Sequence, residues 1–215
     1  MRAIIALASW LYGLSTSLGN GYESIASILN GGYKRQFTGS FTPQITEQQA
    51  ASIAAIINNL KTNGNPNLDH ENSLLLSPAA IMRGRVLSLG FTADTYIETN
   101  AYIEAIELKS VRPNSGEGRG EKQKILSGKA AFKLMHPDKD VRFYVGFPFD
   151  PTANTPTGYD KDRFFNYLVE FRKFFAHEEI LIGSELWDHL SGEPNTMEII
   201  LEIIEETVSD FVDNN

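Results

Sequence analysis

The sequence predicts an α/β protein in which helices lie on both faces of a small mixed β-sheet. Three observations predict this class: apolar residues recur at helical spacing before residue 90, residues 92–108 change to β-rich residues, and helical and strand-like segments alternate afterwards. At 215 residues and 42% hydrophobic, the chain can bury a sizeable core, and neither a repeat nor a linker divides it. We therefore expect a single domain over residues 1–215, with a mainly helical part at 1–90.

The first ninety residues are typical of helices separated by glycine and asparagine. Apolar spacing predicts helices over residues 3–18 and 22–29. Thr46–Gln49 has the pattern of a capping box and predicts a third helix. Ser77-Pro78 resembles a helix start and predicts a fourth helix that ends near Leu89. The apolar face of the third helix contains four residues: Ile53, Ile56, Ile57 and Leu60.

The second half of the chain mixes strands with helices. Residues 92–108 predict a β-hairpin that turns at Asn100-Ala101. A polar loop with three glycines follows at 111–120. The remaining elements are a helix at 121–135, a strand at 141–146, a helical stripe from Phe164 to Phe175, a buried strand at 180–182 and an amphipathic helix at 196–212.

Composition excludes several kinds of protein. The chain has no cysteine, so it can form neither disulfides nor a thiolate zinc site, which fits a reducing cytoplasm. No stretch approaches the roughly 18 apolar residues of a membrane-spanning helix. We therefore expect a cytoplasmic protein with no membrane partner.

The net charge of −8 is unevenly distributed along the chain. Residues 109–142 hold nine Lys and Arg against four Asp and Glu, whereas residues 160–215 hold four against fourteen. The acidic segment, 160–215, is typical of a solvated helix face. The basic segment, 109–142, fits either a solvated face or a surface that binds a polyanion, because its glycines would let the backbone approach a phosphate.

One short segment combines residues that can perform chemistry. Glu107–Lys109 ends the second strand of the predicted hairpin. With the turn at Asn100-Ala101, Asp94 falls opposite Glu107, so their Cβ atoms would lie about 5 Å apart on one face. Lys109 points to that face as well, because side chains alternate along a strand. The register therefore predicts that two carboxylates and one lysine meet at one end of the hairpin.

These residue types suit metal-assisted hydrolysis of a phosphodiester. Mg²⁺ prefers octahedral oxygen coordination, which the carboxylates of Asp94 and Glu107 and the carbonyl of Leu108 could supply in part. The metal would activate a water molecule, and Lys109 would orient that water and stabilise developing charge. The alternative interpretation is a surface salt bridge between Glu107 and Lys109 on an edge strand.

Longer motifs around these residues resemble a known family. The segment from Asp94 through Ala105–Lys109 to Asn114 resembles the PD-(D/E)xK nuclease core as it appears in TdeIII-type type II restriction endonucleases. The resemblance covers at least residues 90–205, and the chain departs from the looser core pattern where Ala93, rather than proline, precedes Asp94. Four further segments carry it: Gly120–Ala131, Gly146–Pro151, Gly158–Lys161 and Glu185–Asp188.

The resemblance implies a restriction-endonuclease-like fold and Mg²⁺-dependent cleavage of both DNA strands at a short palindrome of GGNCC type. It maps metal binding onto Asp94 and Glu107 and the catalytic lysine onto Lys109. Nucleases of this superfamily often add a glutamate from an early helix, and Glu23 is the matching residue in this sequence. Residues 91–215 would then form the catalytic core and C-terminal helices of one nuclease domain.

A nuclease of this kind implies double-stranded DNA as partner, and the basic segment supplies candidate contacts. Arginine can read guanine in the major groove, whereas lysines more often hold phosphates. A palindromic target favours a homodimer, because the twofold symmetry of the protein then matches that of the site. A cognate DNA methyltransferase would be the genetic partner. The predicted DNA contacts are Arg112, Asn114, Arg119, Lys122 and Lys124.

Two other functions stay open from the residues alone. A repair or structure-specific nuclease would use the same core to cut branched or damaged DNA. A non-catalytic DNA-binding or protein-interaction module would carry Glu107 and Lys109 only as a surface ion pair. Binding of Mg²⁺ or Ca²⁺ that depends on Asp94 would separate the enzymes from the module.

Overall fold

A computed structural model describes residues 19–109 and 117–213, and its centre is a five-stranded sheet. The strand order is β1-β4-β5-β6-β7; β4 runs antiparallel to both of its neighbours, β1 and β5, whereas β5, β6 and β7 are parallel. The mixed sheet that the sequence predicts is therefore confirmed. Its strands are β1 (Tyr33–Phe37), β4 (Phe91–Glu98), β5 (Tyr102–Leu108), β6 (Asp140–Phe147) and β7 (Ile180–Ile182), and a separate ribbon pairs β2 (Gln44–Ile45) with β3 (Val86–Leu87).

Helices cover both faces of this sheet. One core packs α2 to α6 against it, and a second core packs α1, α7 and α8 against the opposite face. The fold class predicted from the sequence is thus confirmed. The helices are α1 (residues 19–30), α2 (Glu47–Asn63), α3 (Leu68–Leu76), α4 (Glu117–Met135), α5 (Lys161–Tyr167), α6 (Val169–Phe174), α7 (Ser184–Ser191) and α8 (Thr196–Asp213).

The long helix α4 lies close to the sheet because it contains a glycine at the point of contact. A Cβ atom on Gly128 would lie 2.6 Å from the ring of Phe143 on β6. Phe143 belongs to a cluster of rings with Phe91 and Phe132. The helix propensity lost at this glycine is therefore offset by aromatic packing that a larger residue would prevent.

Local signals predicted several boundaries correctly. Thr46 caps α2, and its side chain and that of Gln49 form the predicted capping box. The hairpin, the strand Ile180–Ile182 and the helix from Thr196 are also confirmed. Part of the predicted loop 111–120 is instead helical, because α4 begins at Glu117. The predicted helix at 3–18 lies outside the described residues.

The helix predicted from Ser77 to Leu89 is wrong. The chain makes only a 3₁₀ turn at Pro78–Ile81, and β3 follows it. Gly84 adopts a left-handed conformation with φ of 68°, which ends any helical path, and Val86 then pairs with Ile45. Four elements were missed altogether: β1, β2, α3 and α7.

Among the described residues, no helix is both long and apolar enough to cross a membrane.

One polar contact ties α7 to the middle of the sheet. His189 Nε2 lies 2.9 Å from Oε1 of Glu104 on β5, and the His189 ring packs edge-on against Tyr144. The hydrogen bond to Glu104 raises the pKa of His189 above its ordinary value of 6.5, although partial burial opposes this. The contact is therefore strongest when the imidazole is protonated.

We expect this pair to make stability depend on pH. Its contribution is complete below about pH 6.5, and it is lost as the pH rises through the raised pKa of His189, because the folded state then releases the proton. Urea unfolding across this range should show the free energy of unfolding of the wild type falling towards that of His189→Gln. Parallel pH profiles for the two proteins would contradict the assignment.

Candidate functional site

The site lies where β5 ends beside the start of β4. Thr95 pairs with Ile106 and Glu98 pairs with Ile103, which is the register predicted from the sequence. Asp94 lies one residue beyond the last of these pairs. The carboxylate of Asp94 therefore comes to the end of β5, where Glu107 and Lys109 lie.

A bulge in β4 sets the direction of the Asp94 side chain. Tyr33 pairs with Tyr96 but Arg35 pairs with Ala93, so β4 contains one residue more than β1 over this stretch. Ala93 and Tyr96 accordingly pack into the same core although three positions separate them. Bulges of this kind re-aim a side chain. The Asp94 carboxylate accepts a hydrogen bond from the backbone N–H of Leu108 at 2.9 Å, which ties β4 to the end of β5.

Lys34 joins Asp94 to α1. Its ammonium lies 3.1 Å from Oδ1 of Asp94 and also donates a hydrogen bond to Oε2 of Glu23. The pKa of Lys34 is raised, and the hydrogen bond to Glu23 is the largest cause. The structure therefore links Glu23 to Asp94 through the ammonium of Lys34, a residue that was not predicted from the sequence; the role of Glu23 stays a prediction.

A second group of charges surrounds Glu107. Lys109 Nζ lies 3.1 Å from Oε1 of Glu107 and 2.8 Å from Oε1 of Glu121, which projects from α4. Lys124, one helical turn after Glu121, contacts the same Glu107 oxygen. Two ammonium groups thus converge on Oε1 of one carboxylate.

The other oxygen of Glu107 is left without a partner. Oε2 is buried and has no hydrogen bond to the described part of the chain. Burial, followed by the charge of Asp94, raises the pKa of Glu107. Both carboxylates are almost inaccessible, with Asp94 6% and Glu107 7% exposed. A cation bound at Oε2 would satisfy this oxygen and relieve the repulsion from Asp94.

Lys109 is held in its charged form by two neighbouring glutamates. Burial alone would lower the pKa of Lys109, but the negative charges of Glu107 and Glu121 have the larger combined effect and raise it. Its backbone N–H also donates to the carbonyl of Gly146 at 2.9 Å, which fixes the end of β5 against β6. A Cβ atom on Gly146 would lie 2.9 Å from Leu108, so glycine allows this close approach. The lysine is thus held at both its backbone and its ammonium group.

The donor set matches the preferences of Mg²⁺. No group of three or more His, Asp or Glu residues within 19–109 and 117–213 is arranged as a complete metal site. Mg²⁺ does not need one, because it usually keeps several waters and uses one or two carboxylates with substrate phosphate. Asp94 and Glu107, with the Leu108 carbonyl beside them, offer oxygen ligands of this type.

The predicted DNA contacts have different surroundings. Arg119 is exposed on α4, whereas Lys124 contacts Glu107 inside the site. Arg112 and Asn114 lie outside the described residues. The prediction for Lys122 is wrong, because this side chain is completely buried between Glu71 and Glu179, with its ammonium over the ring of Phe175.

Sequence reasoning missed Lys34 and Glu121 for different reasons. Lys34 lies on β1, which was not predicted, so nothing in the sequence placed it opposite Asp94. Glu121 did carry a usable signal, because it stands three residues before Lys124 on a predicted helix and so shares a face with it. The sequence alone favours a basic DNA-binding surface for that face.

Comparisons with known proteins point in one direction. The family model described as "Type II restriction endonuclease, HinfI" matches residues 2–208. The chain is 48% identical over 204 residues to the type II restriction enzyme MjaII of Methanocaldococcus jannaschii, a match that covers 93% of this chain and 54% of that relative. The chain thus spans about half the length of the relative. No solved structure gave a significant match. The narrower TdeIII-type resemblance stays a prediction.

The burial of Lys122 gives a direct test of its structural role. We expect Lys122→Met to lower the free energy of unfolding by about 3–5 kcal/mol, because Glu71 and Glu179 would lose their buried partner. Arg119→Ala on the exposed side of the same helix should change it by less than about 0.5 kcal/mol. Urea denaturation measures both variants. Equal stabilities would contradict the buried position of Lys122.

Proposed function

The chain belongs to the HinfI family of type II restriction endonucleases, and from this membership we propose that it cleaves both strands of DNA at a short palindromic site in a Mg²⁺-dependent reaction. The observation that carries the proposal is the convergence of Asp94, Glu107 and Lys109 at the end of the hairpin, with one Glu107 oxygen unpartnered. The resemblance noted from the sequence suggests a PD-(D/E)xK site and a target of GGNCC type.

The two buried carboxylates would hold the metal. Oε2 of Glu107, the Asp94 carboxylate and the carbonyl of Leu108 are the ligands that we propose. When bound, Mg²⁺ would lower the pKa of a coordinated water and neutralise charge that develops on the phosphate. Because Lys109 and Lys124 both contact the other oxygen of Glu107, they leave Oε2 available for the cation.

Lys109 would act on the substrate through its positive charge. Glu107 and Glu121 hold its ammonium from two sides, so the side chain is ordered before DNA arrives. An ordered cation can donate hydrogen bonds to a phosphate oxygen or to the attacking water and stabilise the charge that forms in the transition state. Glu121 would thus be a positioning residue.

Glu23 and Lys34 would complete the site on the side of α1. The ammonium of Lys34 lies between the Glu23 and Asp94 carboxylates and reduces the repulsion between them. Glu23 would therefore hold Lys34 against Asp94, and so orient this carboxylate towards the metal. This assigns Glu23 a positioning role in the proposed mechanism.

The proposed activity implies two partners. A palindrome presents the same sequence on both strands, so a homodimer would place one site at each scissile bond. A DNA methyltransferase that modifies the same sequence would protect the DNA of the host.

Cleavage of DNA tests the proposal. Purified protein incubated with phage DNA and Mg²⁺ should yield discrete fragments, and sequencing of the ends should reveal one shared terminal sequence. Glu107→Gln should slow cleavage by about 10²-fold or more, because it removes a negative charge that holds the cation. Glu98→Gln at the other end of the hairpin is the matched control, since Glu98 also pairs with a lysine, Lys139.

Absence of cleavage in Mg²⁺ and Mn²⁺ would overturn the proposed activity. Cleavage confined to branched or damaged DNA would favour a structure-specific nuclease instead.

Metal binding can be measured without cleavage. We expect Ca²⁺ to bind the wild type in isothermal titration calorimetry and to bind Asp94→Asn at least about tenfold more weakly, because the variant loses one of the two carboxylates. The Asn side chain still has an oxygen that can accept the Leu108 hydrogen bond. Asp140→Asn, an exposed acid paired with Arg142, is the control. Equal affinities in all three proteins would contradict Asp94 as a ligand.

A further inference from the structure

Two segments of this acidic protein contain basic residues but no acidic ones. Residues 31–46 and 82–93 together contain Lys34, Arg35, Arg83 and Arg85 but no Asp or Glu, although the whole chain carries a net charge of −8. The segments adjoin in space, because they supply β2 and β3 of the small ribbon. A hydrogen bond from Ser88 N to Pro43 O extends that pairing.

The ribbon lies at the same end of the fold as the carboxylates. The last residue of β1, Phe37, pairs with Phe91 at the start of β4. Because β4 and β5 are antiparallel, the start of β4 lies beside the end of β5, where Lys109 is found. The chain leaves this end of the sheet after Phe37 to form the first half of the ribbon, and it returns after β3 to begin β4.

The four cations are not equivalent. Lys34 is engaged by Glu23 and Asp94, and the guanidinium of Arg35 lies over the rings of Phe37 and Tyr96. Arg83 and Arg85 are both exposed, and neither forms a salt bridge with an acid in the described part of the chain. They are therefore available to a partner of opposite charge.

Large apolar side chains are exposed around these arginines. Phe41 is 78% exposed, Met82 70% and Leu87 72%. Exposed apolar groups clustered with unpaired cations are typical of a surface that binds a partner rather than of a solvated face. The ribbon residues 38–45 and 82–90 carry two positive charges, Arg83 and Arg85, and no negative one, although the exposed Glu47 of α2 packs against Gly84 between them. An anionic partner therefore suits this surface.

We propose that this ribbon surface, residues 38–45 and 82–90, is a surface on which duplex DNA docks, with Arg83 and Arg85 as the contacting cations. This inference rests on the proposed function and specifies where its substrate lies. A two-stranded ribbon is one of the elements that the major groove admits, and arginine can pair with guanine or with phosphate there. Phe41, Met82 and Leu87 would pack against base methyl groups and sugars.

Several basic residues of 109–142 are engaged within the protein. Lys122 and Lys129 are buried on α4, and Lys109 and Lys124 both contact Glu107, whereas Arg119 stays exposed. Residues 160–215 are strongly acidic and would repel DNA. The ribbon surface thus combines exposed positive charge with proximity to the carboxylates.

Salt-dependent DNA binding tests the inference. Fluorescence anisotropy of a labelled duplex, without divalent metal, compares the wild type with Arg83→Ala/Arg85→Ala and with Lys61→Ala/Arg172→Ala. The control removes two exposed cations near the far end of α2 and on α6. We expect the Arg83/Arg85 variant to bind about tenfold more weakly or worse. Its plot of log K against log salt should be less steep by up to about two units. The control should bind like the wild type.

Three outcomes would count against the inference in different ways. Equal binding by the two double variants, with wild-type cleavage intact, overturns the ribbon surface but leaves the proposed function standing. No binding of duplex DNA by the wild type overturns both. Finally, the double variant Phe41→Ser/Leu87→Ser should weaken DNA binding. If DNA affinity is unchanged and sedimentation velocity shows that the variant no longer dimerises, the surface binds a second copy of the chain and the inference is overturned.

Discussion

The hydrogen bond between the Asp94 carboxylate and the backbone N–H of Leu108 is the contact on which the site depends. The last regular backbone pair of β4 and β5 is Thr95 with Ile106. Beyond it, the Asp94 side chain accepts the hydrogen bond that a backbone carbonyl would accept in a continuous ladder. A shift of the hairpin by one residue would turn Glu107 to the opposite face of the sheet and bring an apolar neighbour into its place. The bulge in β4 makes the contact possible, because it re-aims Asp94 while Ala93 and Tyr96 keep their positions in the core.

Two groups of buried charges in this protein show how a site differs from a structural network. Around Lys122, the ammonium lies between Glu71 and Glu179 with almost no exposed surface. Around Glu107, two lysines meet one oxygen while the other is left without a partner. Burying an unpaired carboxylate oxygen is unfavourable. Oε2 of Glu71 has no hydrogen bond either, but it lies 2.6 Å from the Lys122 ammonium, whereas both lysines at Glu107 contact its other oxygen.

Much of the fold and of the site could be predicted because the signals were local. Alternation along two strands joined by a short turn fixed which residues face one another, so Asp94, Glu107 and Lys109 were found together. The position of Lys122 could not be predicted in the same way, because its partners Glu71 and Glu179 are distant in the sequence. Likewise, Ser77-Pro78 has the residues of a helix start, but the positive φ of Gly84 and the pairing of Val86 with Ile45 prevent a helix there.

Helix α4 serves both groups of charges at once, since Glu121 and Lys124 face the carboxylates whereas Lys122 and Lys129 face the buried network. Few substitutions in this helix could therefore be accepted without disturbing either folding or chemistry. The β2–β3 ribbon has the opposite character, because its register consists of two residue pairs and most of its flanking side chains are exposed. Sequence divergence can proceed there at little structural cost, so the proposed DNA-docking surface could change while the proposed metal site stays the same.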